Sequence, residues 1–414
     1  MLNPGSNNDT VSYEKNRNWV PLFIAVFIAL IVDGMDLQIL NLCLPVLKNE
    51  FALNQIQAGA LSSYTLLGMA IGGLLAGLLA DKIGRVKVTM ISLAMFSSFT
   101  LFLGFTQTYE QFAVIRCLSG LGMAGVYSIG TLLVAEYVPT ARRGLILGSL
   151  QAGYSVGYIC AALIAAAILP THGWRPIFVL AVIPAIASFL LLRKTKEPES
   201  FQLASQVNAD KKKGNQYALI WQNKTVRYTF LVWVVANTAL QFGYFGANTW
   251  LPSYLSTDLG MNLKSMSLNI AATYTAMVAG KVMAGFLADK FGRKSVWVTG
   301  GLATAVVMPL IVAFVNTSNV IFLMFIFGIL YAIPYALLSA FMSESFPGGV
   351  RGTCVATTYA IGRIGSVTAP LFIGFIATWH SIGYGIATLG IAYAICAVIP
   401  GLFIKEKAYD PSKV

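Results

Sequence analysis

The sequence predicts an all-α membrane protein, with twelve transmembrane helices in two pseudo-symmetric six-helix bundles. Three observations carry that prediction. Apolar residues make up 57% of the 414 and charged residues only 11%. That charged share is about half of what a soluble domain carries, so lipid must stand in for water. The apolar residues fall into twelve stretches of about 20 residues or more, long enough to cross a hydrocarbon core about 30 Å thick. One polar string also occurs twice, once in each half of the chain.

The first stretch lies near 19–48 and follows a polar segment, 1–18, that reads as a cytoplasmic tail without a cleavable signal. Spans near 55–81, 86–106, 109–137, 143–169 and 173–193 complete an N-terminal bundle over 19–193. Residues 194–224 are the longest polar stretch, with Glu197-Pro198-Glu199-Ser200, the run Lys211 to Lys213, and Gly214. They read as a cytoplasmic linker, with room for an amphipathic helix on the membrane surface. Spans near 225–257, 263–289, 294–315, 318–346, 350–378 and 381–405 form a C-terminal bundle over 225–405, and 406–414 is a second cytoplasmic tail.

The net charge of +12 raises the question of nucleic acid. Its distribution answers that question. Lys15, Arg17, Lys82, Arg85, Lys87, Arg142, Arg143, the linker lysines, Lys290, Arg293, Lys294, Arg351, Lys405 and Lys407 all fall on one side of the spans. The other side carries little beyond Lys48, Arg175 and Lys264. This asymmetry follows the positive-inside rule and puts both termini in the cytoplasm, with no basic domain left for nucleic acid. The cysteines (Cys43, Cys117, Cys160, Cys354, Cys396) sit in or beside apolar spans without CxxC spacing and read as small core residues. With only His172 and His380 besides, neither a metal site nor a His-based triad is expected. No Gly-x-x-x-x-Gly-Lys-Ser/Thr string is present, so neither ATP nor another cofactor is expected, and an enzyme is not.

The repeat sets the architecture. Gly77-Leu-Leu-Ala-Asp81-Lys82-Ile-Gly84-Arg85 returns as Gly285-Phe-Leu-Ala-Asp289-Lys290-Phe-Gly292-Arg293, an offset of 289 − 81 = 208. Glu136 and Arg143 return as Glu344 and Arg351, where 344 − 136 = 208 and 351 − 143 = 208. Two motifs sharing one ungapped offset mark a duplicated six-span unit. Within each string, Gly77 and Gly285 allow close helix contact. Asp81 can pair with Arg85, and Asp289 with Arg293, across a turn opened by Gly84 or Gly292. Glu136 with Arg143 and Glu344 with Arg351 add pairs at the same level. These eight charges form a candidate latch between the bundles.

Ionisable residues inside spans are costly and point to function. Asp33 and Asp36 lie in span one, Arg116 in span four, Lys281 in span eight and Arg363 in span eleven. At about 1.5 Å per residue, Asp33 and Arg116 reach similar depths, so an Asp33–Arg116 pair is expected. Asp36 is on nearly the same face as Asp33. Such a group suits proton coupling, because moving the Arg switches a buried carboxylate between charged and neutral. Lys281 and Arg363 lack a local acidic partner in their half, which a carboxylate substrate would supply. Gln151, Tyr154 and Tyr158 in span five, Gln241, Tyr244 and Asn248 in span seven, and Tyr274, Tyr331, Tyr335, Ser339 and Tyr359 beyond can line a cavity. Of these, Gln151, Tyr154, Gln241, Tyr244, Asn248, Tyr331 and Tyr335 join Arg363 and Lys281 as candidate substrate contacts.

The two loop strings resemble the signature of the major facilitator superfamily, and Arg116-Cys-Leu-Ser-Gly120-Leu-Gly122 resembles its span-four motif. The resemblance implies two bundles that rock about a central cavity. Asp33-Gly34-Met35-Asp36 looks like the Asp-Gly-x-Asp motif of the aromatic acid:proton symporters, and the Gly-Arg363-x-Gly arrangement agrees. The implied substrate is an organic acid such as benzoate, a hydroxybenzoate or cis,cis-muconate. Asp33, Asp36 and Arg116 would then couple protons while Arg363 holds a carboxylate. The implied setting is a bacterial inner membrane, and the carrier a monomer surrounded by lipid. Proton-coupled uptake of a sugar or sugar acid is the alternative, since the Pro-Glu-Ser string and the Glu/Arg loops are shared with sugar porters. Drug antiport fits less well, because span five reads Gly148-Ser-Leu-Gln-Ala-Gly153-Tyr-Ser-Val-Gly157 with no Gly-Pro pair.

Overall fold

The computed structural model describes residues 19–138, 143–197 and 220–404; the side chains of residues 81, 143–145, 348 and 349 also lie outside the described set. Twelve helices long and apolar enough to span a membrane are present among the described residues. They are α1 (Trp19–Glu50), α2 (Gln55–Ile83), α3 (Arg85–Leu103), α4 (Tyr109–Tyr137), α5 (Arg143–His172) and α6 (Arg175–Leu192), then α7 (Lys224–Ser253), α8 (Leu263–Phe291), α9 (Arg293–Phe314), α10 (Val320–Glu344), α11 (Gly348–Trp379) and α12 (Ile382–Phe403). α7 continues through a wider π turn, Tyr254–Asp258. Side chains of Asn54, Thr108, Asn223 and Asn262 cap α2, α4, α7 and α8. Each offers its oxygen to a helix N–H that has no other partner.

Only one residue joins α2 to α3 and α8 to α9. Gly84 (φ 106°) and Gly292 (φ 87°) turn the chain there, in a conformation that a Cβ would strain. The rim holding these turns, together with the start of α1 and the end of α12, is called the near rim below. The opposite end is the far rim.

Glycines set the packing inside each half, and they repeat at the same offset. A Cβ at Gly72 or Gly120 would collide with the backbone between α2 and α4, as would one at Gly280 or Gly328 between α8 and α10. Here 280 − 72 = 208 and 328 − 120 = 208. Close backbone approach replaces the hydrophobic drive that lipid cannot supply.

The halves meet along α2 with α11, α5 with α8, and α1 with α7. Toward the far rim the fit is tight. A Cβ at Gly59 would strike Pro370 O, and one at Gly374 would lie 2.6 Å from Gln55 O. Ser63 Oγ donates to Val367 O at 2.7 Å and Trp250 Nε1 to Pro370 O at 2.9 Å. At the near rim a Cβ at Gly77, Gly148, Gly285 or Gly352 would meet nothing within 4 Å. The close contact expected at Gly77 and Gly285 is therefore absent in this state, and we read the halves as parted at that rim.

Candidate functional site

Asp36 and Arg116 form a fully buried ion pair between α1 and α4, with Arg116 Nη1 2.6 Å from Asp36 Oδ2. Arg116 Nη2 also donates to Asp36 O at 3.2 Å, and Thr100 Oγ1 on α3 donates to Asp36 Oδ1 at 3.0 Å. The Arg116 guanidinium stands 5.7 Å from the centre of the Phe178 ring. Both Asp36 oxygens are therefore satisfied.

This corrects the expected pairing. Arg116 takes the acid one turn nearer the far rim, and Asp33 is left over. Asp33 is wholly buried, and neither of its oxygens has a partner among the described residues. The charges that act on it are Asp36 in its own helix and Arg363 on α11 of the other half. Arg363 keeps Nη1 buried without a hydrogen-bond partner. Its charge also acts on Tyr127, Tyr154, Tyr335 and Tyr359, which places it among tyrosines from both halves.

Tyr127, Tyr154 and Tyr335 belong to a continuous belt. Tyr154 packs against Tyr127 at 5.8 Å and Tyr158 at 5.4 Å, and Tyr158 reaches Tyr274 of the other half at 4.8 Å. Tyr244 stacks on Tyr335 at 4.1 Å and on Tyr331 at 5.3 Å. Asn248 Oδ1 accepts from Tyr274 Oη at 3.0 Å and from Tyr331 Oη at 3.2 Å, tying α7, α8 and α10 together. Gln151 lies close to Tyr127, and Gln241 Oε1 is buried without a partner among the described residues. Flat ring faces with a few hydroxyls and one guanidinium suit a planar, conjugated anion.

Lys281 also has a partner that the sequence did not suggest. Its Nζ donates to Ser155 Oγ at 2.8 Å, across the α5–α8 seam. Ser155 is the counterpart of Arg363 under the repeat, since 363 − 155 = 208. The polar position is thus kept in both halves and charged in one. Tyr127 and Ser155 were missed because a single Tyr or Ser in a span normally reads as packing. The offset from Arg363 was the signal for Ser155.

At the near rim the ion pairs among the described residues are not the expected ones. Arg85 pairs with Glu136, and Arg293 Nε lies 2.7 Å from Glu344 Oε1. These are the same pair twice, since 293 − 85 = 208 and 344 − 136 = 208. The glycine turn starts α3 and α9 at the arginine, which pairs with the glutamate at the end of α4 or α10. Asp289 is exposed and makes no ion pair with a described residue. Arg351 Nε donates to Phe346 O at 3.3 Å instead of meeting Glu344. The side chains of Asp81 and Arg143 lie outside the described residues. Glu197 accepts from the N–H groups of Arg85 at 2.8 Å, Val86 at 3.1 Å and Lys87 at 3.0 Å, which anchors the chain after α6 on the start of α3. Every ion pair among the described residues stays within one half.

The Major Facilitator Superfamily family model matches residues 26–272 and 234–414. A cis,cis-muconate transport protein of Acinetobacter baylyi is 45% identical over 98% of this chain and 99% of its own length. A benzoate transport protein of the same organism is 26% identical over 96% of this chain and 92% of its own. Among solved structures, that of a D-xylose–proton symporter superposes with a TM-score of 0.77 at 21% identity, covering 93% of this chain and 98% of that one.

Proposed function

The chain belongs to the major facilitator superfamily as a multi-pass membrane transporter, not an enzyme, and from that premise we propose that it imports an organic acid by proton symport. The observation that carries the reading is Asp33, a buried carboxyl with no partner among the described residues. The cation whose charge acts on it is Arg363 of the other half. The relatives' substrates, cis,cis-muconate and benzoate, are planar carboxylates of the kind the tyrosine belt suits. A dicarboxylate engages Arg363 with one end and Lys281 with the other, displacing Ser155 Oγ. Asp33 then faces no free cation, and a carboxylate buried without one takes up a proton. Substrate and proton thereby load together.

The basic loops support a cytoplasmic near rim, with both termini on that side of a bacterial inner membrane. The parted near rim then makes this the inward-facing state, and the tight α2–α11 contact is the closed outer gate. Arg85–Glu136 and Arg293–Glu344 brace each half, and the gating role passes to these braced ends and the glycines between them. Both walls of the site come from one chain, so a monomer suffices. A pH-gradient liposome assay with a panel of muconate, benzoate, a saturated dicarboxylate and xylose tests the reading. Gradient-driven muconate accumulation supports it. Xylose accumulation without any acid accumulation overturns it.

A further inference from the structure

A cavity of about 790 Å³ opens at the far rim between the two halves. Lys48, Asn49 and Gln55 line it from one half, and Ser256, Asn262 and Lys264 from the other. No carboxylate among the described residues lines it. The acids nearby are committed elsewhere. Glu50 is held by Arg175 Nη1 and Trp174 Nε1, each at 2.6 Å, and Asp258 accepts from Gly383 N at 2.8 Å at the start of α12. Lys48 and Lys264 make no ion pair with a described residue, so they set the charge of the cavity.

The floor is polar and leads inward. Asn41, Ser62, Tyr158, Asn248 and Thr249 border a small void one to two helical turns deeper. Ser62 Oγ donates to Asn41 Oδ1 at 3.1 Å, while Asn248 holds Tyr274 and Tyr331 of the belt. A molecule in the cavity is thus separated from the central site by one closed layer, the α1–α2–α7 packing that has to part when the outer gate opens.

We propose that this vestibule is a carboxylate-capture site, in which Lys48 and Lys264 hold the anionic substrate at the outer mouth before the gate beneath it opens. The proposal rests on the anion-import reading above. One lysine comes from each half, so a dicarboxylate can bridge them. Two uncompensated cations at the mouth of a low-dielectric cleft also raise the local anion concentration and the rate of capture.

The test is the Lys48→Gln/Lys264→Gln double variant, both positions being solvent-accessible and free of structural partners. At low ionic strength its KM for cis,cis-muconate uptake is expected to rise about three- to tenfold with kcat unchanged. At about 0.5 M salt, where exposed charges are screened, the difference is expected to shrink below about twofold. Lys224→Gln, on the other rim, controls for net charge. An unchanged KM at low salt, or a KM change that ignores salt, overturns the proposal. Calorimetry separates it from the transport reading. With the central site weakened by Arg363→Ala, the muconate binding that remains at low salt should fall further when Lys48 and Lys264 are both replaced, and that further fall should vanish at about 0.5 M salt. Residual low-salt binding that the lysine substitutions leave unchanged overturns the capture site even where transport stands. Absence of any acid transport overturns the import reading, while the calorimetry still decides the vestibule.

Discussion

Asp33→Asn removes one charge and one proton site while keeping the shape of the side chain, so it tests the coupling step directly. The structure sets the expected magnitude. Asp36 has both oxygens filled by Arg116 and Thr100, whereas Asp33 has neither filled. One carboxyl is therefore available to carry one proton per substrate. With the membrane potential clamped at zero in liposomes, one coupled proton accumulates muconate tenfold per pH unit, equivalent to about 1.4 kcal/mol. The Asp33→Asn protein should show no accumulation at any gradient, yet should still exchange internal for external labelled substrate. Its thermal stability should change little, because neither Asp33 oxygen accepts a hydrogen bond from a described residue that the substitution would break. Tenfold accumulation by the variant would refute the assignment. Hundredfold accumulation per unit in the wild type would refute the single-carrier argument by requiring a second proton site.

The neighbouring acid should behave in the opposite way. Asp36→Asn leaves Arg116 buried without its counter-ion, so a loss of about 3–5 kcal/mol in stability is expected, read as a large drop in melting temperature in detergent. Arg363→Ala removes a charge-assisted contact of about 1.5–3 kcal/mol, so muconate affinity by calorimetry should fall about ten- to a hundredfold with melting unchanged; equal affinity would remove Arg363 from the site. Gly59→Ala puts a methyl into Pro370 O at the far-rim contact. It should shift the population toward the state open at that rim, seen as faster thiol labelling of a cysteine placed at Gln55 and slower labelling of one placed at Gly285.

Composition and the 208-residue repeat made the twelve spans and their two-fold arrangement legible, because both follow from the lipid environment and from duplication. The buried charges were legible for the same reason, as each conflicts with its apolar surroundings. Which acid Arg116 chooses was not. Asp33 and Asp36 are one turn apart, and a depth estimate at about 1.5 Å per residue cannot resolve a single turn of tilt or stagger between α1 and α4. The near-rim pairs failed for a different reason. Sequence proximity favours Asp289 with Arg293, but the positive-φ glycine between them turns the arginine onto the end of the next helix. Ser155 carries no charge and gives no signal of its own. It became meaningful only when Lys281 was seen to reach it.

The frame is symmetric and the charges are not, and this asymmetry makes coupling depend on the substrate. With Asp33 ionised, the first half buries Asp33, Asp36 and Arg116, a sum of −1 − 1 + 1 = −1. The second half holds Lys281 and Arg363, a sum of +2. A bound monocarboxylate brings the site to −1 + 2 − 1 = 0, with no proton needed. A dicarboxylate brings it to −1 + 2 − 2 = −1, and one proton on Asp33 restores zero. Net charge held in the membrane interior is costly, so the substrate-loaded site should close in its neutral forms. Muconate should therefore carry a proton on each cycle, and its accumulation should follow the pH gradient with a slope of one decade per unit. Benzoate, entering as a monoanion, should accumulate with a much shallower slope in the same liposomes. Equal slopes for the two acids would show that Asp33 is protonated whatever occupies Arg363, and that Lys281 takes no part in the charge balance.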